Sequence, residues 1–181
     1  MTMDQPLVWV DLEMTGLDPV RHVIVEIAVV ITDAALSKVV EGPDLVLAAS
    51  DAELALMEPV VAEMHTASGL LDEVRRSRLG VGEAEARVLE FVRPYAPQPH
   101  LAPLAGNSIH ADRAFLRRYM PELNGWLHYR NVDVSTVKEL ARRWYPDAYD
   151  SAPQKAKGHR ALADILESIA ELRYYREAIF R

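Results

Sequence analysis

The apolar positions predict a block of strands at the start of the chain. Runs rich in Val, Ile and Leu occupy residues 7–16, 23–32 and 38–48, and turn-forming residues separate them. Short runs of this kind, joined by turns, are typical of an antiparallel meander. The third run contains Gly42 and Pro43, and we expect the strand to be interrupted there.

The rest of the chain is expected to alternate helices with strands. Ser50 and Glu53 form a capping-box pattern before a short helix through Met57, which Pro59 ends. Residues 60–69 show no clear period and are expected to be irregular. Further segments are predicted in this order: helices at 70–78 and 83–95, a strand at 101–105, a helix at 108–119 that stops before Pro121, a strand at 126–132, a helix at 133–145, a mobile loop at 146–158 and the longest helix at 159–180.

Two of these helices carry an apolar stripe that would pack on a sheet. The positions at helical spacing are Ala84, Val88, Leu89 and Val92 in one helix, and Leu162, Ile165, Leu166, Ile169 and Leu172 in the other. Strands followed by alternating helices and strands favour an α/β fold with a mixed sheet. We expect one domain over residues 1–181.

Composition and charge narrow the class of protein. The chain has 181 residues, 50% hydrophobic and 26% charged, which fits a globular domain. A net charge of −7 argues against a protein that binds long duplex nucleic acid, because such binding needs a basic surface. Short anionic substrates remain compatible. The sequence has no cysteine, no signal-peptide pattern and no apolar run of roughly 18 residues that could span a bilayer, so we expect a cytoplasmic protein without membrane contact.

Two carboxylates interrupt the first predicted strand. Side chains alternate between the two faces of a strand, so Asp11 and Glu13 share one face with Leu7 and Trp9. A buried carboxylate without a partner costs several kcal/mol. The pair therefore indicates a cation site or a catalytic cleft, unless a Lys or Arg elsewhere in the chain neutralises it.

Asp112 lies near the start of the helix that follows the fourth predicted strand. Helix N-termini favour anions, so Asn107, Ser108 and Asp112 could bind a phosphate oxygen, a metal ion or one another. Alternatively, Asp112 only stabilises the helix dipole, with Arg113 as a surface partner. Taken alone, these residues favour the interpretation in which Asp112 stabilises the helix dipole.

His159 and Asp164 lie at the entry to the last predicted helix. Residues five apart on a helix point about 140° away from each other, so both can meet one substrate only if His159 precedes the helix or lies in a frayed first turn. Asp164 stands beside apolar stripe positions, where its carboxylate needs a compensating partner.

Together the four acids suit a divalent metal site. Asp11, Glu13, Asp112 and Asp164 offer oxygen ligands without cysteine, which fits Mg²⁺ or Mn²⁺ better than Zn²⁺. Two such ions can stabilise the attacking and leaving oxygens of a displacement at phosphorus. His159, with an imidazole that titrates near neutral pH, would take the proton from the attacking water.

The order Asp-x-Glu, Asp, His-x4-Asp resembles the DEDDh family of 3′→5′ exonucleases, and longer motifs resemble its oligoribonuclease branch. The matching stretches are Val-Asp-Leu-Glu-Met-Thr-Gly-Leu-Asp at 10–18, Glu-Gly-Pro at 41–43, Leu-Ala-Leu-Met at 54–57, His-Thr-Ala-Ser-Gly-Leu at 65–70, Gly-Asn-Ser-Ile at 106–109 with Asp112-Arg113, Tyr-Met-Pro-Glu-Leu at 119–123, His-Tyr-Arg at 128–130, Asp-Val-Ser-Thr at 133–136 and Lys-Glu-Leu-Ala-Arg-Arg-Trp at 138–144. The resemblance covers nearly the whole chain.

This resemblance implies an RNase H-like fold with a five-stranded sheet, a homodimer, and hydrolysis of short oligoribonucleotides, dinucleotides above all, to 5′-mononucleotides. It also implies that the four acids are the metal ligands and that His159 is the general base. The substrate contacts that it implies are Leu17 against a base, His65 beside it, and Ser108, Tyr129, Arg130 and Ser135 around the 5′ phosphate, the last three partly from the second subunit.

The sequence departs from the family at one position. Where many members carry a Trp that stacks on a base, this chain has Val60, five residues before His65. We expect either a lost stacking contact or an apolar replacement.

Two rival functions remain open from the sequence. One is a DEDDh exonuclease of broader reach, such as a DNA proofreader or a tRNA trimmer. The other is a catalytically silent protein that binds short nucleotides or metal, although all five catalytic-type residues are present.

Overall fold

The computed structural model describes residues 3–153 and 160–180. Within this part of the chain, five strands form one sheet in the order β3-β2-β1-β4-β5. The strands are β1 (Leu7–Met14), β2 (Ile24–Thr32), β3 (Val39–Val46), β4 (Pro103–Gly106) and β5 (His128–Asp133). The helices are α1 (Asp51–Leu54), α2 (Pro59–Ala67), α3 (Leu70–Arg76), α4 (Val81–Val92), α5 (His110–Tyr119), α6 (Pro121–Trp126), α7 (Val134–Trp144), α8 (Pro146–Asp150) and α9 (Ala161–Ala178).

The sheet is mixed, as the sequence pattern predicts. Strand β2 lies antiparallel between β1 and β3, while β4 is parallel to both β1 and β5. The three strands of the meander are continuous enough to pair along most of their length, with Leu7 opposite Thr32 at one end and Glu13 opposite Glu26 near the other. The predicted α/β class with a mixed, five-stranded sheet is confirmed.

Side-chain alternation along β1 divides the core into two layers. Val8, Val10 and Leu12 pack in the larger cluster with α4, α5 and α6. Trp9 packs on the opposite face with Ile165 of α9. Because Asp11 and Glu13 follow Trp9 at strand spacing, they point toward the face that α9 covers.

Three prolines that we expected to end or interrupt structure also begin helices. Pro59, Pro121 and Pro146 each occupy the first turn of a helix, α2, α6 and α8 respectively. Proline is accepted there because its missing N–H would have no helical partner and its φ already suits a helix. The predictions of irregular chain at 60–69 and of a loop beginning at residue 146 were therefore wrong for these segments, whereas residues 154–158 of that loop lie outside the described residues.

Strand β3 continues through Gly42 and Pro43 as a bulge. The pairing with β2 shifts at this point, where Ala28 is opposite Asp44 and Val30 is opposite Glu41. A bulge on an edge strand tolerates a proline, which cannot donate a ladder hydrogen bond. The expected interruption is thus a change of register within one strand.

The last helix largely follows its predicted stripe. In the described chain α9 is the longest helix, and Ile165 and Ile169 are buried beneath it, but Leu166 is 37% exposed and does not belong to the core face. None of the helices in residues 3–153 and 160–180 is long and apolar enough to cross a membrane.

Candidate active site

The candidate site lies at the carboxyl ends of the three parallel strands. Strands β1, β4 and β5 run in the same direction, so the residues that end them meet at one edge of the sheet, the usual position of sites in α/β folds. Glu13 lies near the end of β1, Asn107 follows β4, and Asp133 ends β5. Helix α9 crosses the face beside them.

Three predicted ligands come together in the structure. Asp11, Glu13 and Asp164 each offer a carboxylate oxygen, and these oxygens lie within 4.8 Å of one another among the described residues. Asp164 is in the first turn of α9, whereas the other two belong to β1. An all-carboxylate donor set at this spacing fits a hard divalent cation.

Asp112 lies close to this cluster but is turned toward the backbone. Its Oδ1 accepts a hydrogen bond of 3.1 Å from the N–H of Leu12, which lies beyond the short pairing of β1 with β4 at Val8 and Trp9. The side chain is buried. Asp112 therefore completes the hydrogen bonding of β1 and also adds its negative charge to the field around Glu13.

Burial and mutual repulsion hold these carboxyl groups partly protonated. The pKa of Glu13 is raised to about 8, chiefly by burial and then by the charges of Glu26, Asp164 and Asp112, while Arg160 opposes the shift. Burial also raises the pKa of Asp112 to about 7, against the hydrogen bond from Leu12. A bound cation would offset both shifts by stabilising the ionised carboxylates, so the electrostatics also fit a metal site.

A buried acid that the sequence analysis did not select stands beside the cluster. Glu26 of β2 is fully buried opposite Glu13, and its two oxygens bind the start of α9. Its Oε1 accepts from Arg160 Nε at 2.9 Å, and its Oε2 accepts from the N–H of Ala161 at 3.1 Å. The signal available in the sequence was a single Glu within the apolar run Ile-Val-Glu-Ile-Ala-Val-Val-Ile.

Arg160 links this acid to a third element. Its Nη1 and Nη2 donate to the two carboxylate oxygens of Glu73, on α3, at 2.9 and 3.1 Å. We name the group Glu26, Arg160 and Glu73 the α9 clamp. Glu73 is half-exposed and lies in an ordinary helix, so no sequence signal identified it.

His65 lies in the interior, 1% exposed. Its Nε2 is 2.9 Å from the carbonyl oxygen of Met14, and its Nδ1 is 3.9 Å from Oε2 of Glu13. The His65 ring therefore lies beside Glu13, a candidate metal ligand, and contacts the backbone at the end of β1.

A polar loop follows β4 on the other side of the cluster. Ser108 has a left-handed backbone with φ of 51°, a conformation that costs a non-glycine residue about 1 kcal/mol or more. Its N–H donates to Oδ1 of Asp133 and to Oγ of Ser135, both at 3.0 Å. Ser135 Oγ in turn donates to Oδ1 of Asn107 at 3.0 Å. The structure thus brings Ser108 and Ser135 together, as the resemblance implies.

Tyr129 and Arg130 lie at the opposite end of β5. Both are exposed, and the Arg130 guanidinium stacks over the Tyr129 ring with Nε 3.1 Å from the hydroxyl oxygen. Asp133 is four residues beyond Tyr129 and three beyond Arg130, separations of roughly 13 and 10 Å along the strand. Both residues therefore lie toward the end of β5 opposite Asp133, which ends the strand at the carboxyl edge of the sheet.

Leu17 and Val60 lie near the end of β1. Leu17, in the turn after β1, is 72% exposed, and Val60 at the start of α2 is exposed as well. The N–H of Glu58 donates to the carbonyl of Thr15 at 3.1 Å, which ties the start of α2 to this turn. His159, the proposed base, lies outside the described residues and directly precedes the N-cap residue of α9 in sequence.

Known proteins resemble this chain over nearly its full length. A family model described as Exonuclease matches residues 8–172. The oligoribonuclease of Corynebacterium glutamicum (strain R) is 57% identical over 177 residues, which cover 98% of this chain and 81% of the relative. The oligoribonuclease of Streptomyces avermitilis is 55% identical over 178 residues, which cover 98% of this chain and 88% of the relative.

Solved structures of exonuclease I share the fold. The enzyme from Methylocaldum szegediense superposes with a TM-score of 0.69 at 22% identity, over 96% of this chain and 41% of that chain. A metal-free E. coli exonuclease I complex with single-stranded DNA superposes with a TM-score of 0.68 at 16% identity, over 96% and 40%. The chain spans about two fifths of those proteins. This likeness concerns the fold alone, and it confirms the predicted RNase H-like architecture.

The raised pKa of Glu13 predicts that metal binding depends on pH. A cation must displace the proton that Glu13 retains up to about pH 8, so affinity for Mn²⁺ is expected to rise about tenfold per pH unit from pH 6 to 8 and then level off. Isothermal titration across this range measures the slope. The Glu13→Gln variant, which lacks the titrating group, should bind more weakly with a flatter slope; an equally flat profile in the unaltered protein would contradict the prediction.

Proposed function

The chain belongs to the oligoribonuclease family, and on this premise we propose that it degrades very short RNA, dinucleotides above all, to 5′-mononucleotides. The shared name of the relatives and the exonuclease domain support a 3′→5′ exoribonuclease that acts on short RNA, which makes the protein a phosphodiester hydrolase. We also propose that the protein prefers dinucleotides, that it uses two divalent ions and a histidine base, and that it is cytoplasmic.

One observation carries the proposal. Asp11, Glu13 and Asp164, from two separate elements, present carboxylate oxygens within 4.8 Å of one another at the carboxyl edge of the sheet. Three ionised acids at this distance repel one another, and a cation among them would relieve that repulsion. A merely structural cluster has no use for that repulsion.

We propose that these three residues and Asp112 hold two divalent ions, Mg²⁺ or Mn²⁺. When bound, two such ions supply charge stabilisation for the attacking and leaving oxygens at phosphorus. Asp11, Glu13 and Asp164 would bind first, since their oxygens already converge. Asp112 would join them by giving up part of its bond to Leu12, or would act from its present position by orienting the end of β1.

His159 is proposed as the general base that takes the proton from the attacking water. It stands five residues before Asp164 in sequence and directly before Arg160, the N-cap residue of α9. An imidazole that titrates near neutral pH suits this task.

Residues around the cluster are proposed to hold the dinucleotide. Ser108 and Ser135, already joined by hydrogen bonds, would bind the 5′ phosphate. Leu17 would contact a base from the exposed turn after β1, with Val60 offering a small apolar contact where many relatives have a Trp. His65 would contact Glu13 and not the substrate, because its ring is buried.

We propose that the site is completed by a second copy of the chain. Tyr129 and Arg130 are exposed and lie roughly 13 and 10 Å along β5 from Asp133, toward the end of the strand that is remote from the carboxyl edge of the sheet. A groove between α7 and the end of α9 exposes apolar side chains that a partner would cover. Its lining is Val137, Leu140, Ala141, Trp144, Tyr145, Ile179 and Phe180.

Short RNA is proposed over the rival of a broad-range exonuclease. The net charge of −7 leaves little basic surface to follow a long phosphate backbone. A dimer that closes Tyr129 and Arg130 around a 5′ phosphate would also limit the length of strand that fits.

Substrate length separates this proposal from its rivals. With Mn²⁺ present, we expect the protein to cleave a diribonucleotide at least about tenfold faster than a 20-mer, as a closed 5′ pocket requires. The Asp164→Asn variant should be inactive on both, because a ligand of the cluster is lost. A clear preference for the 20-mer would favour the broad-range exonuclease, and equal inertness of both proteins would favour a silent binder.

Replacing the proposed base should affect turnover far more than binding. For His159→Ala we expect kcat on a diribonucleotide to fall by about 10² to 10⁴, the usual contribution of a general base, with the dissociation constant nearly unchanged. Steady-state rates and binding in Ca²⁺ provide the two quantities. A loss of binding as large as the loss of turnover would contradict the role.

Disrupting the groove should yield an inactive monomer with an intact metal site. Trp144→Glu places a charge in the apolar groove, and we expect sedimentation to show a monomer that binds Mn²⁺ normally but cleaves dinucleotides poorly. Leu101→Glu alters an exposed apolar residue outside the groove and is expected to remain dimeric. A fully active Trp144→Glu monomer would refute the shared site.

A further inference from the structure

The α9 clamp connects the metal cluster to the helix that supplies one of its ligands. Glu26 is the cross-strand neighbour of Glu13 in the β1–β2 pairing, so the two side chains share one face of the sheet. From that position Glu26 reaches the first residues of α9. One fully buried carboxylate thus touches both the strand and the helix that form the site.

Glu26 also serves as the N-terminal cap of a helix to which it does not belong. The N-cap residue of α9, Arg160, makes no side-chain capping bond in the described part of the chain. The N–H of Ala161, one of the donors that a helix start leaves unpaired, is satisfied by Oε2 of Glu26. The negative charge additionally suits the positive end of the helix dipole.

The bonds of the clamp fix α9 in two directions. Arg160 donates to Glu26 on the sheet and to Glu73 on α3, so its guanidinium holds the helix start between two elements. Asp164 follows one turn later, and its N–H bonds to the carbonyl of Arg160 at 3.1 Å. A slide of α9 by one residue would move Asp164 by about 1.5 Å, more than a metal ligand set tolerates.

From these contacts we propose that Glu26 is a positioning residue for the metal site: with Arg160 it holds α9 at the register where Asp164 meets Asp11 and Glu13. This inference rests on the proposed function, in which those carboxylates bind divalent ions. Net stability alone does not account for the clamp, since a buried ion pair is often no more stabilising than apolar residues of the same volume.

The Glu26→Gln variant tests the inference through metal binding without substrate. Gln has the length of Glu but only one acceptor oxygen, so it cannot serve Arg160 and Ala161 at both positions. We expect the affinity for Mn²⁺, measured by electron paramagnetic resonance of the free ion, to fall about 10- to 100-fold, the usual effect of losing a group that orients a ligand. Catalysis should follow the same pattern, with a lowered kcat at limiting Mn²⁺ that excess Mn²⁺ restores, and an unchanged KM.

Two further variants test whether the lost Mn²⁺ affinity comes from the position of α9, from the charge of Glu26 or from a general loss of stability. Glu26→Asp keeps the charge but is one methylene group too short to reach both partners, so it should lose affinity as Glu26→Gln does; it also serves if Glu26→Gln does not fold. Lys138→Gln removes the 3.1 Å ion pair with buried Glu171, further along α9, and should lower the unfolding temperature with Mn²⁺ affinity unchanged.

The outcomes distinguish this inference from the function on which it rests. A folded Glu26→Gln or Glu26→Asp protein with the Mn²⁺ affinity of the unaltered chain would overturn the positioning role, as would an equal loss in Lys138→Gln. If the unaltered protein binds Mn²⁺ no better than Asp164→Ala, the proposed metal site itself fails.

Discussion

Repulsion between carboxylates on one face of a buried strand is the constraint on which the rest of the site depends. Asp11 and Glu13 share that face by strand periodicity, Glu26 lies opposite Glu13, and α9 brings Asp164 within 4.8 Å of the pair on β1. Burial and then the charges of these neighbouring acids raise the pKa of Glu13 to about 8. A divalent cation among these carboxylates would neutralise their charge, which is the physical basis of the metal site that we propose.

Hydrogen bonds link two of these acids to the elements around the site. Arg160 and the N–H of Ala161 neutralise Glu26 and at the same time attach α9 to the sheet. On the other side, Asp112 binds the backbone of Leu12 where β4 no longer pairs with β1. Glu26 and Asp112 are therefore acids of the site that also hold its elements together, Glu26 by binding α9 and Asp112 by binding β1.

Periodicity and spacing predicted the elements that carry the ligands, because strand alternation and an apolar helical stripe are local properties. The same reasoning missed the helices that begin at Pro59, Pro121 and Pro146, since a proline that ends one segment is chemically identical to one that begins the next helix. Glu26 was missed because its partners, Arg160 and Ala161, are 134 and 135 residues away in sequence, and only the fold brings them together. The left-handed backbone of Ser108 was missed for the same reason. The N–H of Ser108 donates to Asp133 at the end of β5 and to Ser135 in α7, which are distant in sequence.

A crystal structure of the protein with Mn²⁺ and a nonhydrolysable diribonucleotide, with anomalous scattering recorded for the manganese, tests the central claim most directly. The account predicts anomalous peaks among Asp11, Glu13 and Asp164, with Asp112 beside them and the scissile phosphate in contact with the ions. Manganese found only at other surface carboxylates, with the dinucleotide bound away from the carboxyl edge of the sheet, would contradict it.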